Sequence, residues 1–477
     1  MSDNPKRYHP SWLVFEYVSF LKNAFFFILF LFILRGDVMT GWILWAKIIF
    51  ILFAGWTIIH ILLKWFFHTY QINNNSIALR EGVFVKNHRV VPFERIQNHQ
   101  TNTNFLHRLF KLTSLTLETG TSDSESSIKF SVITHDEARM ILKKIEEKDA
   151  VAEAEAEAEE VVDKPKRTVY FRSTKKDTIK AALTSFSFLA IFPLLSAAYF
   201  QVNDFFDLEE TTLSAFEYFK AHIGLLALLF IVAMLLSVVI GYIQTVVKYG
   251  NYVISADDER IYIEKGVWNT STFSIQKDKV QAIKIEQPLI KRLLNMVEIK
   301  LISAGGLGEE KLETNALYPF MAKREAYELV NTLLPAYHIE EEMKRLPRKV
   351  LLLKLLTPYY GTLVVGAGLF FFQREWLWIT GVIFVLAILS RILDYLFTSY
   401  LRHGEFIQTR KGGFSNETLL TRRARIEEIE VQHSWIQRKF DVASLKFSNR
   451  AKPVFVSELA YLPKEDVAAF YVWYGER

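Results

Sequence analysis

The stretch LREGVFVKNHRVVPFERIQ, residues 79–97, returns in the same register as IEKGVWNTSTFSIQKDKVQ at 263–281 and TRKGGFSNETLLTRRARIE at 409–427. Each carries a glycine (Gly82, Gly266, Gly412) and, 14 residues on, an apolar residue preceded by a base: Arg95 and Ile96, Lys279 and Val280, Arg425 and Ile426. Phe105, Leu289 and Trp435 stand 23 positions past the glycine, and Arg108, Arg292 and Arg438 stand at 26. Leu115, Ile299 and Leu445 follow, each two before another apolar residue, Leu117, Leu301 or Phe447. Register kept over about forty residues without a gap marks an internal repeat, so the chain must fold as copies of one unit.

Within a unit the pattern is mostly strand. SIALREGVF and RVVPFERIQ alternate with period two, as half-buried strands do. The glycine is expected at a positive-φ turn that other residues resist. NFLHRLF, PLIKRLL and SWIQRKF read as short helical turns, with Asn104 and Ser434 as N-caps and Pro288 at a helix start. A further strand follows, and each unit ends in an amphipathic helix, at 135–148, 321–334 and 463–473. A bent sheet closed by a terminal helix buries one face of each and leaves few edges open.

Each unit is preceded by a pair of apolar blocks. The six expected spans run over 18–34 and 41–67, 181–200 and 222–247, and 350–372 and 376–397, each long enough for a hydrocarbon core of roughly 30 Å. Apolar residues make up 51% of the 477 positions and charged residues 23%, a mixture that demands both lipid-facing and water-facing segments. Glu16 and Lys22 interrupt the first block, which argues against a removable signal peptide. The expected organisation is hairpin 18–67, domain 68–148, an acidic then basic linker 149–180, hairpin 181–247, domain 248–335, basic linker 336–349, hairpin 350–397 and domain 398–477.

Bases cluster on one side of these spans: Lys6 and Arg7, the run from Lys164 to Lys180, and Lys344 to Lys354. The other side includes the acidic loop 201–221. The asymmetry predicts cytoplasmic termini and cytoplasmic soluble domains, with Trp42, Trp45, Trp376 and Trp378 as an outer interfacial belt. Lys166, Arg167, Arg172, Lys175 and Lys176, interleaved with Tyr170 and Phe171, are the candidate contacts to anionic lipid.

The order of hairpin, glycine turn, base-apolar-Gln/Glu, short Arg-bearing turn and strand resembles the bacterial pleckstrin-homology-like (bPH2) domain family, VPFERIQN of the first unit most closely. Three units in one chain look like the YdbT-type multi-pass proteins. Unit two keeps KVQ, whereas unit three departs with RIE and has no matching proline. The resemblance implies membrane α-helical hairpins (six spans) plus three α+β PH-like small barrels, each capped by a C-terminal helix, in a bacterial cell membrane, and no enzymatic activity.

No GxSxG, HExxH or Walker-type motif is present. SAGGLGEE (303–310) follows a strand without leading into a basic helix start and reads as a turn. Zero cysteines exclude thiolate chemistry and disulfides. The 11 histidines, His99 and His107 among them, do not cluster at ligand spacing. No catalytic, cofactor-binding or metal residues are therefore assigned. A net charge of +5 gives no case for nucleic acid, and no small-molecule substrate is evident. Lys47 reads as a snorkelling anchor and Arg391 with Asp394 as an i,i+3 pair. Gly361, Gly366 and Gly368 suit close helix packing, and no span shows the Gly/Pro-broken pattern of a substrate site. Arg108, Arg292 and Arg438 admit a phosphate contact or a hydrogen bond to nearby carbonyls that fixes a turn. The second is favoured, because all three units keep the arginine while the surrounding charge varies. The expected function is a non-enzymatic membrane scaffold acting with lipid, a membrane-protein partner or another copy of the chain. The rival classes are an envelope defence factor against membrane-active peptides, motivated by the acidic loop, and a transporter or lipid-handling protein.

Overall fold

The computed structural model describes residues 5–36, 41–119, 127–154, 167–184, 223–303, 316–450 and 454–476. The chain divides into two compact units, Met1–Pro165 with Trp268–Thr272, and Lys166–Val267 with Phe273–Arg477.

In the first unit, β1 (Lys6–Arg7) precedes helices α1 (Ser11–Ile28, continued by a π-helical turn Leu29–Leu34) and α2 (Gly41–Phe67). The soluble domain follows as β2 (Thr69–Ile72), β3 (Ser76–Glu81), β4 (Asn87–Pro92), β5 (Ile96–Thr103), α3 (Phe105–Leu109), β6 (Leu112–Thr119), β7 (Ser127–Thr134) and α4 (His135–Ala154). β1 to β4 form one antiparallel sheet in sequence order, and β5, β6 and β7 are successive neighbours in another. β1 lies before the hairpin in sequence yet pairs with β2 after it, Lys6 opposite Tyr70 and Arg7 opposite Thr69. The membrane hairpin is thus inserted inside the domain, after its first strand. Period-two alternation places Ile77 and Leu79 inward on β3, and a three-then-four spacing places Ala138, Ile141 and Ile145 of α4 in the same core. Burial of each large aliphatic side chain there stabilises by roughly 1.5–3 kcal/mol.

The second unit repeats the plan twice. Its first domain holds β8 (Thr168–Arg172), α5 (Lys175–Thr184), α6 (Ile223–Tyr249), β9 (Val253–Ala256), β10 (Arg260–Lys265), β11 (Thr270–Gln276), β12 (Val280–Gln287), α7 (Leu289–Leu293), β13 (Met296–Ser303), β14 (Met321–Ala322) and α8 (Lys323–Leu333). The last domain holds β15 (Lys344–Arg345), α9 (Lys349–Leu356), α10 (Tyr360–Phe372), α11 (Trp378–Phe397), β16 (Ser399–His403), β17 (Phe406–Lys411), β18 (Asn416–Arg422), β19 (Ile426–Gln432), α12 (Trp435–Lys439), β20 (Val442–Asn449), β21 (Phe455–Pro463) and α13 (Lys464–Gly475). Seven strands form one sheet in the order β14-β13-β12-β18-β17-β16-β15, and β19-β20-β21 form a separate sheet. β12 and β18 belong to different domains, so consecutive domains share a sheet.

The segments expected as linkers are partly strand. Thr168–Arg172 pairs with β9 and Lys344–Arg345 with β16, as Lys6–Arg7 does with β2. Four helices, Ser11–Ile33, Gly41–Phe67, Lys349–Phe372 and Arg374–Phe397, are long and apolar enough to cross a membrane among the described residues. The expected fourth span falls on α6, whose sequence carries one charge, Lys248. Most of the expected third span, the loop 201–221, residues 304–310 and linker residues 155–166 lie outside the described residues.

Span five differs from expectation. It breaks after α9, at Pro358, and resumes at Tyr360. Proline cannot donate to the helical ladder, so the preceding carbonyls lose their partners. Of the span-five glycines, only Gly366 is closely approached: a Cβ there would stand 3.0 Å from Thr380, whereas Gly361 and Gly368 have nothing within 4 Å.

Candidate functional site

Where a hairpin leaves and re-enters its domain, the two strand ends are clasped to the terminal helix. In the first domain the Tyr70 hydroxyl donates to Glu137 Oε1 at 3.0 Å, and Lys6 Nζ lies 3.7 Å from the same oxygen. In the third, the Tyr400 hydroxyl donates to Asp466 Oδ2 at 2.5 Å and Lys344 Nζ to the same oxygen at 2.7 Å. Both phenols are pushed well above their ordinary pKa, by burial first and the adjoining carboxylate second. The middle domain closes differently: Tyr252 N–H donates to Ser173 Oγ at 3.0 Å, and its hydroxyl to the Ala316 carbonyl at 2.6 Å.

The joint between the second and third domains is antiparallel strand pairing, from Ala282 opposite Thr421 to Gln287 opposite Asn416. The central strands have neighbours on both edges, and Ile283, Leu419, Leu420 and Thr421 are at most 1% exposed. Charges edge the joint. Lys284 Nζ lies 2.7 Å from Glu286 Oε1 and 3.2 Å from Glu417 Oε2, while Lys300 Nζ lies 2.6 Å from Glu286 Oε2. Burial opposes ionisation of Glu286, but the hydrogen bonds from Lys284 and Lys300 prevail and hold its pKa below the usual value.

Arg292 completes this joint. Its guanidinium lies 3.6 Å from the Phe397 ring centroid at the end of span six and donates to the Gly413 carbonyl at 3.3 Å. The contact is to the next domain's hairpin, not to its own turn. Arg108 and Arg438, at equivalent sequence positions, are exposed.

The repeated glycines also divide. Gly82 and Gly266 have φ of +107° and +100°, the left-handed region that excludes most side chains. Gly412 does not have positive φ, contrary to expectation. It is required because a Cβ would meet Phe397 Cβ at 2.0 Å and the Phe397 backbone carbon at 2.7 Å. The apolar positions behave alike: Ile96, Val280 and Ile426 are at most 1% exposed, each directly after a 3-10 turn ending in Arg95, Lys279 or Arg425.

At the ends of spans five and six that adjoin the soluble domain, Asp394 accepts from Lys354 Nζ at 2.5 Å and does not pair with Arg391. Arg391 instead donates to the carbonyls of Lys354 (3.0 Å), Thr357 and Pro358 (2.9 Å), the groups freed by the helix break. A cavity of about 370 Å³ opens here, lined also by Lys411 and Glu458. Lys47 is 5% exposed and caps the first span by donating to the Arg35 and Gly36 carbonyls at 2.7 and 2.9 Å. Among the described residues no cluster of His, Asp and Glu could hold a metal ion. His107 is fixed structurally, with Nε2 at 2.9 Å from the Ser131 carbonyl oxygen.

Of the candidate lipid contacts, Lys166 lies outside the described residues. Arg167 stacks on Tyr262, 3.9 Å from its centroid, while Arg172, Lys175 and Lys176 are exposed. Sequence reasoning gave Lys6 and Lys344 only as topology markers and missed Tyr70, Tyr400, Glu137 and Asp466. The signal was present: Lys-Arg recurs at 6–7, 166–167 and 344–345, each before a hairpin, and Tyr70 and Tyr400 align when Gly82 and Gly412 do.

Apolar hairpins inserted in two-sheet domains, each ending in a helix packed on its core, define a membrane protein built from PH-like domains. The sequence profile of the bacterial PH domain family matches residues 24–149, 195–337 and 352–477, and the chain belongs to that family. The UPF0699 transmembrane protein YdbT of Bacillus subtilis (strain 168) is 25% identical over 494 residues, covering 100% of this chain and 99% of that protein. No solved structure matches.

Proposed function

We propose that the chain is a non-enzymatic membrane scaffold, with six spans in three hairpins and with both termini and all three PH-like domains in the cytoplasm. The observation that supports this reading is the β12–β18 pairing, which joins two consecutive domains in one sheet. The ionisable groups at the ends of spans five and six are satisfied by each other and by carbonyls, which suits anchoring rather than passage of a substrate. Arg172, Lys175 and Lys176, exposed before the second hairpin, suit contact with anionic headgroups.

Native electrophoresis from mild detergent tests the scaffold. The chain should migrate as a complex heavier than its 55.5 kDa plus bound detergent. A monomer in every mild detergent, or substrate-dependent flux when the chain alone is reconstituted in liposomes, would refute it.

A further inference from the structure

Among the described residues, two open strand edges correspond to the two halves of the joint just described. β4 ends the four-strand sheet of the first domain, and β19 ends the three-strand sheet of the last. Aligning Gly82 with Gly412 makes β4 the counterpart of β18, and aligning Val280 with Ile426 makes β19 the counterpart of β12. We infer that β19 of one molecule adds antiparallel to β4 of a second copy, repeating between chains the strand pairing that unites domains two and three within one chain. This deepens the scaffold reading and rests on it.

Burial marks both edges as unfinished. In the internal joint Ala282 is fully buried and Leu420 is 1% exposed, whereas Val90, the counterpart of Leu420, is 62% exposed. Glu428, the counterpart of Ala282, is exposed, and so are Glu430 and Val431. An edge strand with free backbone groups is a template for pairing unless something covers it.

The charges select the partner. β19 carries Glu427, Glu428 and Glu430, while Lys86, His88 and Arg89 lie on and beside β4. In the internal joint Ile283 opposes Leu420 and Lys284 opposes Leu419. The same register sets Ile429 opposite Val90 and Glu430 opposite Arg89. Opposite charges facing across strands stabilise and like charges destabilise, so β19 would reject another β19 and β4 another β4. Each side chain has one contact within its own domain, Glu430 with Lys446 at 3.3 Å and Arg89 with the Ser127 carbonyl at 3.2 Å. Pairing of two different surfaces is head-to-tail and produces a ring or a linear array.

The absence of cysteine makes the test clean. Arg89→Cys in one tagged full-length chain and Glu430→Cys in a second, differently tagged, are co-expressed in membranes and oxidised. The expected product carries both tags at twice the 55.5 kDa chain mass. Lys284→Cys with Leu419→Cys in a single chain serves as reference, because it should close internally and so reports correct folding and register. Adding Glu428→Lys to the Glu430→Cys chain should reduce the mixed product. The inference is overturned if the reference closes without mixed product, or if an Arg89→Cys/Glu430→Cys double variant closes only within one chain. A complex that stays heavy by native electrophoresis without the mixed product keeps the scaffold and rejects the second copy; a monomer rejects both.

Discussion

Lys284 on β12 and Glu417 on β18 form an ion pair across the boundary between the second and third domains, Nζ to Oε2 at 3.2 Å. The same ammonium holds Glu286, and Glu286 is shared with Lys300, so the joint is edged by a network rather than one pair. Networks of partly buried charges couple more strongly than isolated surface pairs.

The network predicts acid sensitivity of the joint. The folded-state pKa of Glu286 lies below its ordinary 4.5, so its contribution is complete at neutral pH and fades as pH falls through the ordinary and then the folded value. The thermal midpoint of the full chain in detergent should drop between pH 7 and pH 4, by less in Glu286→Gln. An identical pH slope in the variant would remove Glu286 from the account. The folded-state pKa of Lys284 is raised: burial opposes its charge, but Glu286 and Glu417 prevail. Its contribution is therefore retained at neutral pH and lost only as pH rises through the folded value.

The glycines separate two mechanisms. Gly82→Val must strain a positive-φ turn and Gly412→Val must displace Phe397, each costing on the order of 1–3 kcal/mol. Phe397→Ala should not rescue Gly412→Ala, because the colliding atoms are Cβ and backbone, which alanine keeps. Thermal unfolding of the single and double variants decides; full rescue would show that the ring, not the backbone, fills the space.

For the clasps, Tyr400→Phe removes one donor to Asp466 and should cost about 1 kcal/mol. Lys344→Ala should cost less, since Lys344 is 58% exposed and its attraction to Asp466 is screened. A double-mutant cycle between Tyr400→Phe and Asp466→Ala, read by thermal unfolding, checks this. Additive losses would mean that the short contact contributes no coupling.

Repeat number, strand alternation and the N-caps at Asn104 and Ser434 were legible because each is a local signal with a fixed spacing. The short strands before the hairpins were not. Lys6–Arg7 and Lys344–Arg345 are two residues long, too short for periodicity, and their partners lie beyond the intervening spans. The lysine-arginine run served equally well as a topology signal, and that reading hid the strand. Arg391 was misassigned for a related reason: i,i+3 spacing to Asp394 suggested a pair, while the stronger demand came from carbonyls freed at Pro358 on a different helix. The apolar strand β12 announced burial but not that its second edge would be covered by the next domain.

Sidedness gives the last prediction. The basic residues before each hairpin are now tied to strands of the domain that follows it, so they cannot be on the opposite side of the membrane from that domain. The positive-inside bias then predicts that all three domains lie together in the cytoplasm. A reporter inserted at Asp257, in the turn between β9 and β10, should read cytoplasm, and one at Glu375, between spans five and six, should read the outside. A third at Glu210, outside the described residues, should also read the outside. Opposite readings at Asp257 and Glu375 are required by an even number of spans before each domain. Agreement between those two sites would break the third hairpin, and a cytoplasmic signal at Glu210 would break the second.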